Sequence, residues 1–176
     1  FLFSGGTFNH NNGKITVYNA NWTYMIFNIP NGLSVNNLEV DANNEFTAYG
    51  GLSVTGGNLE VNGTLTLTNG YIQSGTIEAK GAVNQGAIFY GGPGTIKLAG
   101  SGSQIYTING GIAPRIEMTT NPDASVVFAS GIDVTVNGLE MSTGTFTSTA
   151  GILTIHPVDF TVPISISGGT FNHNNG

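Results

Sequence analysis

The chain contains no cysteine, which excludes disulfides and thiolate metal sites. Basic residues are nearly as scarce. Lys and Arg together number 4 of 176 residues, Arg115 is the only arginine, and the net charge is −6. Nucleic acid is therefore disfavoured as a partner, because phosphate contacts need Lys and Arg. Charged residues make up 8% of the chain, against roughly 25% in ordinary globular proteins. The polar surface must then come from Asn, Thr, Ser and Gly. No apolar run reaches the roughly 18 residues of a membrane helix. No stretch has amphipathic-helix spacing; apolar residues alternate or fall in short runs dominated by β-branched side chains. No signal peptide is visible and Phe1 opens in mid-strand pattern, so the chain reads as cut from a longer one.

What is present is turn chemistry and repetition. Glycine numbers 27, and Asn-Gly occurs at Asn12, Asn31, Asn62, Asn69, Asn109, Asn137 and Asn175. Such residues accept positive φ cheaply. In an antiparallel sandwich or barrel they would mark hairpins, and that is the main structural alternative. The repetition argues against it. Ser4-Gly5-Gly6-Thr7-Phe8-Asn9-His10-Asn11-Asn12-Gly13 returns unchanged as Ser167 to Gly176, a period of 167 − 4 = 163 residues. Self-similarity at a fixed period marks repeat architectures. The period halves again: Phe8, Gly13 and Ile15 align with Phe89, Gly94 and Ile96 at an offset of 81, and Leu59-Glu60-Val61 with Leu139-Glu140-Met141 at 80.

Below that lies a finer register of apolar–polar–apolar triplets, centred on Thr16, Glu39, Glu60, Glu78, Lys97, Glu117, Glu140 and Asp159. Their mean spacing of about 20 residues predicts one short strand per coil of a solenoid, since side chains alternate faces along a strand. Further strands are expected at Met25–Phe27, Leu33–Val35, Leu52–Val54, Thr64–Thr68, Ala87–Phe89, Ile105–Ile108, Val126–Phe128, Ile132–Val136, Ile152–Ile155 and Ile164–Ile166. The predicted fold is an all-β, single-stranded parallel β-solenoid over residues 1–176. It would have about eight coils and a length of about 38 Å per period at the strand spacing. Asn columns at the turns are expected to add side-chain ladders.

The passages SGGTFNHNNGKITV (4–17), LSVTGGNLEVNGTLTLTNG (52–70) and GPGTIKLAGSGSQIYTINGG (92–111) resemble the low-complexity β-repeats of very large bacterial surface and secreted proteins. Those include adhesins and filamentous-haemagglutinin-like or autotransporter-like passengers. The resemblance is rhythmic and compositional and covers nearly the whole chain. It implies a right-handed solenoid at a cell surface and carries over no functional residue.

Few residues suggest chemistry. Glycoside hydrolysis needs two facing carboxylates, yet Asp41, Asp123, Asp133 and Asp159 lie far apart in sequence. Neither His10 (repeated as His173) nor His156 has a second ligand at metal-like spacing. No cofactor or enzyme activity is expected. Stacked coils would align Glu39, Glu60, Glu78, Glu117, Glu140 and Asp159 in an acidic column, relieved by Lys97. A solvated face is the plain reading of it, and a weak Ca²⁺ column the sharper one. Thr64, Thr66 and Thr68 share a face, but the pattern does not recur as an ice-binding array would require. Tyr18, Trp22 and Tyr24 read as core or stacking aromatics before a sugar platform. Asn21-Trp22-Thr23 and Asn62-Gly63-Thr64 match a glycosylation sequon that arises easily by chance. The expected function is structural, with Ser4, Gly5, Gly6, Thr7, Phe8 and Ser167, Gly168, Gly169, Thr170, Phe171 as assembly edges. The partners are then copies of the same chain in a fibre, stalk or sheath outside the cell. A surface stem that binds glycans is the alternative.

Overall fold

A computed structural model describes residues 1–18, 25–41, 50–129, 131–158 and 162–174. They form strands and corners, with no helix long and apolar enough to cross a membrane. The first winding is β1 (Lys14–Tyr18), β2 (Met25–Asn28) and β3 (Leu33–Val35). The second is β4 (Asn37–Asp41), β5 (Gly51–Thr55) and β6 (Leu59–Val61). Next come β7 (Leu65–Ser74) with β8 (Thr76–Ala79), then β9 (Val83–Phe89) with β10 (Thr95–Leu98). These are followed by β11 (Ser103–Ile108) with β12 (Ile112–Met118), and β13 (Ser125–Phe128) with β14 (Val134–Met141). The last strands are β15 (Thr145–Thr147), β16 (Leu153–Ile155), β17 (Ile164–Ile166) and β18 (Thr170–Asn172).

Every pairing among them is parallel, which removes the antiparallel alternative. The chain visits three faces in turn. The first face stacks β1, β4, β7, β9, β11, β13, β15 and β18. The second stacks β2, β5 and the end of β7, and later the starts of β12 and β14 with β16. The third stacks β3, β6, β8, β10, β12, β14 and β17. The protein is thus an all-β parallel solenoid of about six turns, counted between the first and last strands of the third face. The sequence spacing predicts eight. Turns are uneven, with 18 residues from Leu59 to Ile77 and 27 from Leu38 to Leu65.

The single predicted column of triplets divides between two faces. Glu60, Glu78, Lys97, Glu117 and Glu140 do pair successively on the third face. Glu39 does not join them: it sits on the first face between Thr16 and Thr66. On the preceding winding the partner of Glu60 is Ser34, and on the following one Glu78. The reason is the corner at Asn36. It separates β3 from β4 by one residue, so two alternating triplets follow each other on adjacent faces. Asp159 lies outside the described residues. Ile96 and Ile116 are register partners, as the stacking predicts.

The core is a set of columns. On the third face Leu33, Leu59, Ile77, Ile96, Ile116 and Leu139 follow one another in register, all buried. On the first face Tyr106 and Phe128 meet edge to face with ring centres 5.2 Å apart. Phe146 meets Phe128 at 4.7 Å, and Phe171 stacks on Phe146 at 5.7 Å. Asn-Gly marks corners, not hairpins. It falls inside β7 at Asn69-Gly70 and inside β14 at Asn137-Gly138, where each strand passes from one face to the next. A single residue, Gly75, makes the corner between β7 and β8. Its φ is 80°, and a Cβ there would lie 2.1 Å from the Val54 carbonyl oxygen of the winding before.

Candidate functional site

The feature that stands apart chemically is the face of the stack after its last winding. β18 pairs only with β15, β17 only with β14, and β16 only with β14 among the described residues. The third-face column that is buried from Leu33 to Leu139 ends on Ile164, which is 45% exposed. Ile152, at 62% exposed, and Ile166 are open there too, while Leu153, Ile155 and Phe171 are only partly covered. Between β16, β17 and β18 lies a recess of about 280 Å³ lined by Ile152, Leu153, Ile155, Ile164 and Phe171, with His173 at its rim. It shows the core columns in cross-section. Stacking another strand on each face would bury these side chains and satisfy the outward backbone groups of the edge strands.

The two predicted assembly edges occupy different places. At the later one, Thr170, Phe171 and Asn172 form β18 on the first face, in register with Thr145, Phe146 and Thr147. Ser167 donates its N–H to the Met141 carbonyl, and Gly169 turns with φ 82°. The Gly168 Cβ position lies against the Ser142 carbonyl. At the earlier edge Thr7, Phe8 and Asn9 pair in no strand. They line a shallow depression with Ser34, Val35 and Asn36, beside β3 on the third face. Asn31 donates to the Ser4 carbonyl, and the His10 Nε2 accepts the Asn36 N–H at 2.7 Å. Gly5 and Gly6 lie at positive φ, and Phe8 packs its ring edgewise to Phe1 and Phe3.

The acidic ladder is neutralised locally. Glu60 and Glu78 stand directly opposite each other, an arrangement that destabilises a sheet. Lys80 pairs with Glu60 at 2.6 Å and Lys97 with Glu78 at 3.4 Å. Glu117 opposes Glu140. There Arg115 pairs with Glu140 at 2.7 Å, and the Thr119 hydroxyl donates to Glu117. On the first face Lys14 holds Glu39 at 2.5 Å, with Thr16 and Thr68 hydroxyls also donating. The Lys14 bond is the main cause that holds the Glu39 carboxyl below its ordinary range, against partial burial. Lys80 does the same for Glu60. Burial, and then the Glu39 charge, push Asp41 upward. All four cations are thus committed to carboxylates. Among the described residues no group of three or more His, Cys, Asp or Glu is placed to hold a metal ion.

The remaining candidates are scattered. His156 and His173 are exposed. Asp133 accepts the Ile152 N–H at 2.9 Å, a structural contact between windings. Thr64, Thr66 and Thr68 do face outward, but the column through Thr66 runs Thr16, Glu39, Thr66, Asn84 and is chemically mixed. Tyr18 is exposed, whereas Trp22, Tyr24 and the sequon at Asn21 lie outside the described residues. Asn62, of the second sequon, donates to Ser34 at a corner. Asn side chains do bridge windings, mostly to backbone carbonyls instead of to each other: Asn36 to Asn12, Asn121 to Gly100, Asn174 to Ser148.

Sequence reading missed the polar groups inside. Gln104 is buried and donates to the Ala79 and Gly81 carbonyls. Gln85 is buried, donates to the Gly110 carbonyl and accepts the Tyr106 hydroxyl at 2.8 Å. In comparisons with family models, curated proteins and solved structures, the chain has no match.

Proposed function

We propose that this chain is a structural repeat segment of an extracellular or cell-surface fibre, stalk or sheath. It extends by continuation of the solenoid into a further copy of the same sequence, and the partner is that copy. The observation that carries the reading is the Leu33-to-Ile164 column. It is buried at every level until the last winding, which carries the same ten residues that stand 163 positions earlier. A following copy supplies the missing layer, and each coil gains its stability from its neighbours. The winding is right-handed in this reading, because a crossover between parallel strands is right-handed in about 98% of cases. The reading assigns the chain no catalytic step. A glycan-binding stem would rest on Tyr18, Trp22 and Tyr24, and of these only Tyr18 is described.

The test is a tandem chain: residues 1–176 followed directly by a second copy starting at its Lys14. Small-angle scattering is expected to give one stiff rod about twice as long as the single chain. Two bodies tumbling independently about the junction would overturn the proposal.

A further inference from the structure

The identical decapeptide sits on two different faces. Thr7–Asn9 lies beside β3 on the third face, and the chain then turns through Asn11 (φ 50°) and Asn12 (φ 60°) into β1 on the first. Thr170–Asn172 is itself a first-face strand. Local backbone is retained, since Gly6 and Gly169 both have positive φ (92° and 82°), as do Asn11 and Asn174 (50° and 54°). What differs is position around the axis. Six turns separate β3 from β17 on the third face. One more lies before β3, back to Phe8, and a third of a turn leads from β17 on to β18. One 163-residue period therefore spans seven and a third turns.

We infer that successive copies join with an offset of one face, so that Lys14–Val17 of a following copy stacks on β16 of the second face and not on the first face where β1 lies. This rests on the proposed continuation into a further copy. Register supports it. Leu153 follows Phe146 by seven residues, and both point inward. Seven residues after Phe171, the continuing repeat places Ile15 (15 + 163 = 178). Ile15 would then cover Leu153, Thr16 would stand beside Thr154, and Val17 would cover Ile155. Apolar meets apolar at both inward positions, and Thr meets Thr outside. A strand's inside–outside alternation has period 2 and is indifferent to the face it occupies, so the same residues serve both places. Three copies restore the starting face. A long array would present the Glu60–Glu140 ladder on each of its three sides in rotation, one side per roughly 35 Å copy at the strand spacing.

The tandem chain tests this, since it has no cysteine of its own. Thr154→Cys in the first copy with Thr16→Cys in the second should form a disulfide under mild oxidation. Neighbouring parallel strands bring such residues to about 5 Å, within disulfide reach. Asn172→Cys with the second-copy Thr16→Cys, the pair that a first-face strand stacked on β18 would bring together, should not. Spin labels at the same sites report the distances without any bond having to form. A doubled rod with the Thr154 pair close supports the offset. A doubled rod with the Asn172 pair close overturns the offset while leaving continuation intact. Two independent bodies overturn continuation and the offset with it.

Discussion

The inside and the outside of one winding respond to stacking in opposite ways. Inside, stacking brings like to like: Tyr106, Phe128, Phe146 and Phe171 form a continuous aromatic file. Each ring gains apolar burial and an edge-on or stacked ring contact from its neighbours. Outside, the same stacking sets Glu60 against Glu78 and Glu117 against Glu140. Like neighbours there repel, and three cations, Lys80, Lys97 and Arg115, relieve them. A repeating coil thus has a cheap interior and a costly exterior. The scarcity of charge in this sequence fits that difference, because every charged residue repeated at the coil spacing needs an opposite partner one strand away.

The comparison predicts that the largest effects come from the interior file. Phe128→Ala removes a fully buried ring that touches both Tyr106 and Phe146. It should destabilise the solenoid by about 3–5 kcal/mol, read as a lower denaturant midpoint. Its two neighbours would both lose a contact, so loss should spread to adjacent windings, and hydrogen exchange should rise in β11 and β15 together. A loss below about 1 kcal/mol, the scale of a surface change, would mean that the file is not what holds the windings.

Next comes the polar node within that file. Tyr106→Phe keeps the ring but removes the hydroxyl that the buried Gln85 carbonyl accepts. Leaving that oxygen unsatisfied should cost about 1–3 kcal/mol. Removing both partners with Gln85→Leu in the same chain should recover part of it, and a double-mutant cycle in urea measures the coupling.

These nodes show where sequence reading stops. Alternation in Leu59-Glu60-Val61 and Ile96-Lys97-Leu98 was enough to place strands and their inward residues, and β6 and β10 are where the pattern puts them. The same alternation in Leu38-Glu39-Val40 could not say which face β4 occupies. Period 2 carries no information about rotation around an axis, and only the corner length at Asn36 fixes it. Gln85 and Gln104 were illegible for a different reason. A polar residue in an alternating run reads as outward, but the corners at Gly81 and Gly110 turn backbone carbonyls toward Gln104 and Gln85, whose buried side-chain amides donate to them. Ile164 was illegible for a third reason: it becomes distinctive only when its column is seen buried at every earlier level.

The smallest effect belongs to the exterior, and pH gives its sign. Lys14 and Lys80 hold the Glu39 and Glu60 carboxyls below their ordinary values in the folded chain. The folded state therefore binds fewer protons than the unfolded one in the interval between the two values. Stability from these pairs is complete above the ordinary carboxylate value and disappears as pH falls through the lowered folded value. Asp41 acts in the opposite sense, because its raised value means that ionisation takes stability away as pH rises. Lys14→Met separates the two. It removes the Glu39 partner, and the difference in melting temperature from the parent should be present at neutral pH and vanish under acid conditions. At neutral pH the difference should correspond to no more than about 1 kcal/mol, because the pair is solvent-exposed, and it should shrink further in high salt. A loss as large as that of Phe128→Ala, or one unchanged by acid, would place the ladder among the forces that hold the coils together, and the contrast between inside and outside would no longer stand.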